Sequence, residues 1–241
     1  MDYGDIASCD SLRAPDKALV ADERMESFVI LGKDRVRRVS LAERHAEISR
    51  YELSKDVPLD VRVHFENARN LYLYAWFVYR FHAVSEEHAL GSLEYALRLR
   101  LIAGAFVSAA KGDKMGLADL LKRAKKHDLI RNEEIKSRVR WATELARDRH
   151  SLLQIDAMSR AGLTEMVIDD SNVAPTEDDL ACDWISVFVE SLPAIRNAYA
   201  HGSQMLVPTV LRTFDIVCDL INQLFTQQLH KAAVTDIGSE L

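Results

Sequence analysis

Cysteine is scarce in this chain of 241 residues, which has only Cys9, Cys182 and Cys218. None of the three belongs to a C-x-x-C pair, so neither a disulfide framework nor a zinc site is predicted. The first ten residues carry acidic side chains and no apolar run, which excludes a secretory signal. The apolar stretch 71–78 is far too short to span a bilayer. These absences predict a protein of the reducing cytoplasm that does not enter a membrane.

Several catalytic motifs are missing as well. The chain has no G-x-G-x-x-G and no G-x-x-x-x-G-K, so nucleotide binding by a Rossmann or P-loop mechanism has no support. It has no H-E-x-x-H, and none of its eight histidines lies three residues after a carboxylate, as a di-iron bundle requires. Strand-like alternation of useful length is absent, which argues against an α/β hydrolase or dehydrogenase. No cofactor and no metal is predicted.

The charge balance limits how the chain could contact nucleic acid. A net charge of -6 argues against binding by bulk electrostatics, so any RNA contact must come from a local basic patch. The best patch is Lys122, Arg123, Lys125 and Lys126, on a short helix predicted to begin at Leu117. We predict that these four side chains hold an RNA backbone. The alternatives are a solvated helix face and, less favoured, a helix-turn-helix DNA reader.

The spacing of apolar residues predicts an all-α chain. Residues 1–20 have no periodicity and are predicted to form a mobile tail, and a capping box at Ser40 predicts a helix to about residue 54. The next predicted helices are 59–81, in which Leu71, Tyr74, Val78 and Phe81 recur at three- and four-residue steps, and one capped by Ser85, with Leu90, Leu93, Leu97 and Leu101 inside and an exposed pair of Glu94 and Arg98. Aromatic residues on both sides of the first helix predict burial against two neighbours, or against one neighbour and a second protomer.

The second half of the chain continues the helical pattern. A helix over 133–159 is marked by Val139, Ala142, Leu145 and Leu152, and a capping box at Thr176 predicts the start of a helix that Pro193 would kink before Gly202. A last helix is predicted from Pro208. The predicted organisation is an N-terminal tail and helical extension over 1–57, a bundle over 58–232 and a frayed C-terminus over 233–241.

The densest group of chemistry-bearing residues ends the penultimate predicted helix. Arg196 and Asn197 are followed by His201, and Gly202 is the residue type that commonly stops a helix. Residues four apart share a helix face, so Asn197 and His201 are predicted side by side, with Arg196 in reach. Imidazole exchanges protons near neutral pH, and guanidinium suits phosphate oxygens. The alternative is structural, with His201 capping its own helix and Arg196 in a surface ion pair.

In an all-helical chain, the segment Ile195-Arg-Asn-Ala-Tyr-Ala-His-Gly202 resembles the Arg-polar-x3-His signature of the HEPN superfamily. The resemblance is carried by residues 177–230 and, more loosely, by the helices from residue 60 onward. It implies a HEPN-like helical bundle with an N-terminal helical extension, and a metal-independent endoribonuclease of toxin-antitoxin or antiviral defence systems. It also admits a member that has lost activity and only binds RNA or a protein. Ser203 stands where one subfamily has a modified tyrosine, so that regulation is not implied.

The resemblance also implies roles and partners. His201 would act as general base or acid, Arg196 would stabilise phosphoryl charge, and Asn197 would hold the imidazole or a phosphate oxygen. In-line cleavage needs a proton acceptor and a donor, and a homodimer would bring two such sets together. RNA, a second copy of the chain and an antitoxin or other defence protein are the expected partners. Three aromatic residues are candidates for the dimer interface: Trp76, Trp184 and Tyr199.

Overall fold

The computed structural model describes residues 6–31, 36–200 and 210–237, with the side chains of Leu31, Ala200 and 227–237 excepted. Over these ranges the regular secondary structure is helical apart from one antiparallel hairpin, in which Ile30 lies opposite Arg37, and the predicted all-α class is confirmed. The elements are 3-10 helices Ser8–Asp10, Pro15–Lys17 and Glu23–Ser27, β1 Val29–Leu31, β2 Val36–Arg38, α1 Leu41–Ser49, α2 Leu59–Tyr74, α3 Phe81–Ala103, α4 Ala109–Gly112, α5 Leu117–Lys126, α6 Arg138–Arg160, α7 Glu177–Leu180, α8 Trp184–Ala200 and α9 Val210–Ile237.

The N-terminal segment contacts the bundle through the ion pair of Asp10 with Arg80, within the stretch predicted as a mobile tail, and through residues just after it. Its anchor is the buried carboxylate of Asp22, which accepts hydrogen bonds from the Tyr79 N–H at 3.1 Å and the Arg24 guanidinium at 2.8 Å. Arg24 and Arg80 both pair with Asp10. Burial raises the pKa of Asp22, but these donors outweigh it and bring that pKa to about 2. Single polar contacts between irregular segments leave no periodic signal in a sequence.

Helix α1 begins as predicted. The Ser40 side chain accepts from the Glu43 N–H, and the Glu43 carboxylate accepts from the Ser40 N–H. The helix ends at Ser49, before the predicted end near residue 54. Ile48, Leu53 and Val57 pack in the same hydrophobic cluster as the helices that follow, so the core continues across residues 57 and 58.

The helix predicted over 59–81 is in fact two helices. α2 ends at Tyr74 and α3 begins at Phe81. Between them the Trp76 carbonyl accepts a hydrogen bond from the Asp22 N–H. In a continuous helix this carbonyl would be bonded within the helix, and here the N-terminal segment supplies its donor instead. α3 therefore starts before Ser85, which does not cap it: the Ser85 hydroxyl is buried and donates to the Ala68 carbonyl at 2.9 Å.

The sequence pattern alone does not single out the buried face of α2. Tyr74 is 51% exposed, and the buried residues of the helix are Val61, Phe65, Ala68 and Tyr72. Both sets recur at helical spacing, and the all-round aromatic content of this stretch made the two faces indistinguishable.

Helix α3 is central to the bundle because it contacts α2, α9, α5 and α8. The predicted stripe is confirmed, since four leucines have no exposed surface: Leu90, Leu93, Leu97 and Leu101. Glu94 and Arg98 form the predicted pair, with 2.8 Å between the carboxylate and the guanidinium. Within the described ranges, no helix has both the length and the apolarity needed to cross a membrane.

Helices α5 and α6 follow their predictions unequally. α5 begins at Leu117 as predicted, and one face of it is buried: Leu117, Leu120, Leu121 and Ala124. α6 begins at Arg138 and buries only residues of its first half: Trp141, Ala142 and Ala146. Val139, Leu145 and Leu152 are exposed, contrary to the prediction. Much of the apolar surface of α6 therefore lies outside the core.

The capping box at Thr176 is present, but it starts only the short α7, and the motif helix α8 begins separately at Trp184. α8 remains helical through Pro193 to Ala200. α9 begins at Val210, and its buried residues include Phe214, Val217, Leu220, Ile221 and Leu224. The predicted start at Pro208 lies outside the described residues. The α9 backbone continues to Ile237, beyond the predicted fraying point at residue 232.

Candidate functional site

Helix α8 carries the sequence-predicted motif, and its orientation follows from its apolar residues. Ile185, Phe188 and Leu192 recur at three- and four-residue steps and are buried against the core. The opposite face is turned to solvent, where Ala194 and Asn197 are exposed. The start of the helix is held by Asp183, whose carboxylate accepts from the backbone N–H of Ser186 at 3.1 Å.

Arg196 lies at the edge of this outward face and reaches across to α3. Its Nε is 3.7 Å from Glu94 Oε2, while Glu94 Oε1 accepts from the Arg98 guanidinium at 2.8 Å. The Arg98 Nε donates to the Gly112 carbonyl, which fixes the shared carboxylate. The Arg196 side chain keeps 41% of its surface exposed. The Arg196 guanidinium is therefore oriented by the Glu94 carboxylate on its protein-facing side, and it is still accessible to an anion from solvent.

His201 lies outside the described residues, as do Gly202 and Ser203. Of the three predicted catalytic residues, the structure therefore describes Arg196 and Asn197, which are neighbours in the chain. Arg196 is partly buried and Asn197 is exposed. The predicted association of His201 with Asn197 remains a prediction. Glu94 is the additional residue at this site, and the sequence indicated only its pair with Arg98, because a contact between distant helices has no local signal.

A second carboxylate meets α8 beside the motif. Glu86 of α3 is fully buried and accepts hydrogen bonds from the Tyr199 hydroxyl at 2.6 Å and from the Thr213 hydroxyl of α9. Burial and the neighbouring carboxylate raise the pKa of Tyr199, so its phenol stays protonated. In the sequence Glu86 has the pattern of an ordinary surface residue of a charged turn, and nothing there indicates its burial.

The four cations of the predicted RNA patch fall into two pairs, one exposed to solvent and one bonded within the protein. Lys122 and Lys126 are exposed and one helical turn apart on α5. The Arg123 guanidinium donates to the Phe106 carbonyl at 3.1 Å, and the Lys125 ammonium pairs with Asp183 at 2.7 Å. Two of the four cations therefore hold the fold together, and Lys122 and Lys126 are the pair that faces solvent.

The patch and the motif lie at opposite ends of α8. Lys125 also donates to the Ser186 hydroxyl, in the first turn of α8, whereas Arg196 lies in its last turns. At about 1.5 Å per residue, the ten positions between Ser186 and Arg196 correspond to about 15 Å along the helix axis. A single ligand that touched both would have to be an extended polymer of several units.

The described residues offer few alternatives to this surface. No group of three or more His, Cys, Asp or Glu side chains in the described ranges could hold a metal ion. His64 and His88 stack face to face, with ring centres 4.0 Å apart, so their nitrogen lone pairs, which lie in the ring planes, do not converge on one point. Burial raises the pKa of the Cys218 thiol to about 12, which removes it as a nucleophile.

Several cavities of the described residues lie away from the motif. One of about 500 Å³ is lined by residues 8–23, and one of about 200 Å³ lies between residues 50–52, the start of α6 and α9. Neither is lined by Arg196 or Asn197. These two residues stand on an open helix surface, which suits a long chain better than an enclosed small molecule.

Comparison with protein-family models, with curated proteins and with solved structures finds no match to this chain.

Proposed function

We propose that this chain is a HEPN-like, metal-independent endoribonuclease of a cytoplasmic defence or toxin system, with Arg196, Asn197 and His201 as its catalytic residues. The observation that carries the proposal is the geometry of the last turns of α8. Arg196 is oriented by Glu94 and remains accessible, and Asn197 is exposed next to it. His201 follows four residues later in the sequence. An imidazole can exchange the protons of phosphodiester cleavage by a 2′-hydroxyl, and a guanidinium and an amide can stabilise the charge that develops on the phosphoryl oxygens.

In the proposed reaction the ribose 2′-oxygen attacks phosphorus and the bond to the 5′-oxygen breaks. A general base takes the 2′-hydroxyl proton and a general acid protonates the leaving 5′-oxygen. An imidazole suits either role, because the unperturbed pKa of this group is about 6.5, and His201 would supply it. Arg196 neutralises charge that develops on the non-bridging oxygens. The products are a 2′,3′-cyclic phosphate and a free 5′-hydroxyl.

The experiment that tests this function uses the purified chain, labelled single-stranded RNA and excess EDTA. Fragments ending in 2′,3′-cyclic phosphate support the proposal, and the matching 2′-deoxy strand should stay intact because it lacks the nucleophile. Equal cleavage of both strands, or cleavage that stops on addition of EDTA, would overturn the mechanism.

A catalytically inactive RNA-binding or protein-interaction module is the second candidate. It is favoured by the pairing of Arg196 with Glu94, which partly neutralises the guanidinium, and by the use of Arg123 and Lys125 in internal contacts. Saturable RNA binding without cleavage, or capture of an antitoxin or defence protein without RNA binding, would select this function instead.

Reversal of Lys122 and Lys126 to glutamate is expected to weaken RNA binding and to flatten its salt dependence. Each phosphate contact with a single strand contributes about 0.7 to the slope of log K against log salt, so the slope should fall by about 1.4 for the pair. Binding titrations at several salt concentrations give the value, and the cleavage position should not change. Lys17→Glu with Lys55→Glu is the control, because it changes the net charge equally at exposed positions elsewhere. Equal affinities in the two double variants would make α5 an ordinary solvated face.

The proposed active form is a homodimer with a composite site, because each chain supplies one Arg-Asn-His set. Trp184 does not serve the interface as predicted, since it is buried in its own chain at 4% exposure, and the Tyr199 hydroxyl is bonded to Glu86. Sedimentation at micromolar concentration is expected to show a dimer. A composite site brings cationic side chains of the two protomers together, and sulfate or phosphate should favour the dimer because an anion reduces the repulsion between them. A monomer at every concentration that supports cleavage would remove the composite site.

A further inference from the structure

Glu86 is a carboxylate with no exposed surface, and it joins three helices. Its two oxygens accept from different elements, one from Tyr199 near the end of α8 and one from Thr213 in the first turn of α9. A buried charge of this kind is costly, and a leucine of similar volume would suit the core better. Such a residue in a core position calls for an explanation beyond packing.

The position of Tyr199 connects this carboxylate to the motif. Tyr199 lies seven residues after Leu192, so it continues the buried stripe of α8. At about 100° per residue, Asn197 is about 160° round the helix from Tyr199, and Arg196 is about 60° from it. When the Tyr199 hydroxyl is held inward by Glu86, Asn197 must face solvent and Arg196 must lie at the edge, where Glu94 receives it.

We propose that Glu86 and Tyr199 are positioning residues of the site on α8. Their hydrogen bond sets the rotation of the last turns of this helix, and thereby the direction in which Arg196 and Asn197 present their donors. The inference rests on the proposed ribonuclease function for its kinetic consequence, but the positioning itself can be measured without catalysis. Thr213 bonds the same carboxylate from α9 and has no such link to the motif, so it provides a matched comparison.

The test compares Tyr199→Phe, Thr213→Val and Glu86→Gln in the full chain. Misplacement of about 1 Å can cost on the order of a hundredfold in rate, so Tyr199→Phe should lower kcat by about ten- to a hundredfold and change KM less than about twofold. Thr213→Val should keep kcat within about twofold, because it leaves the Tyr199 bond intact. Glu86→Gln can accept from Tyr199 through its carbonyl and donate to the Thr213 oxygen, so it should retain most of the activity.

Amide hydrogen exchange of residues 194–200 is the readout that does not depend on catalysis. Exchange should be faster in Tyr199→Phe than in Thr213→Val at equal overall stability. If the wild-type chain cuts no RNA, the ribonuclease proposal fails, and this difference still decides the positioning role. If exchange, kcat and Tm instead change in proportion in both variants, Glu86 is only a structural residue and the inference is overturned.

Discussion

Replacement of His201 or Arg196 by alanine is expected to lower the rate of RNA cleavage by about a hundredfold or more. His201→Ala removes the group that exchanges protons with the 2′- and 5′-oxygens. Arg196→Ala removes the cation that faces the phosphoryl oxygens in the transition state. Single-turnover rates with labelled RNA in EDTA measure the chemical step, and RNA affinity should change much less than the rate in either variant.

Two surface substitutions provide the controls for this result. His45→Ala removes an exposed imidazole of α1, and Arg131→Ala removes an exposed guanidinium between α5 and α6. Both should cleave RNA at the wild-type rate. If His201→Ala retained full activity, His201 would not be catalytic, and the cleavage would have to be assigned to other residues.

The free energy of unfolding is expected to fall by about 2 kcal/mol between pH 7.5 and pH 5 because of His82. This imidazole is buried, and burial together with the nearby Arg44 cation lowers its pKa from 6.5 to about 4, against a smaller opposing effect of Asp22. The His82 imidazole therefore binds a proton near pH 6.5 in the unfolded chain, but only near pH 4 in the folded chain. Above pH 6.5 this proton uptake hardly affects the free energy of unfolding. As the pH falls from 6.5 toward 4, protonation of the unfolded chain lowers the free energy of unfolding progressively.

Urea titrations at the two pH values test this, with His82→Gln as the informative variant. Glutamine can accept the hydrogen bond that Arg44 makes to the His82 Nε2 at 3.0 Å, and it does not titrate. His64 and His88 also have lowered pKa values, mainly through burial, so a smaller acid-dependent loss should remain in the variant. The exposed His45→Gln should behave as the wild type. An undiminished loss in His82→Gln would contradict the assignment.

The local signals in the sequence predicted several elements correctly. The capping boxes at Ser40 and Thr176 are present because they involve residues three apart, whose hydrogen bonds form within one turn. The leucine stripe of α3 is buried because a single strong periodicity leaves one choice of inner face. Where apolar residues occur all round the helix, as in α2, the same reasoning did not single out the buried face, and it missed the break before Phe81.

The sequence by itself determined the all-α class, the position of the motif near the end of α8 and the chemistry that its side chains can perform. These depend on residue type and on spacings within a few turns. The tertiary structure decided which cations are available, since Lys125 is taken by Asp183 and Arg123 by a carbonyl of another segment. It also decided that Glu94 orients Arg196 and that Glu86 holds Tyr199. Each of these contacts joins residues more than fifteen positions apart, and only the packing of whole helices can bring such residues together.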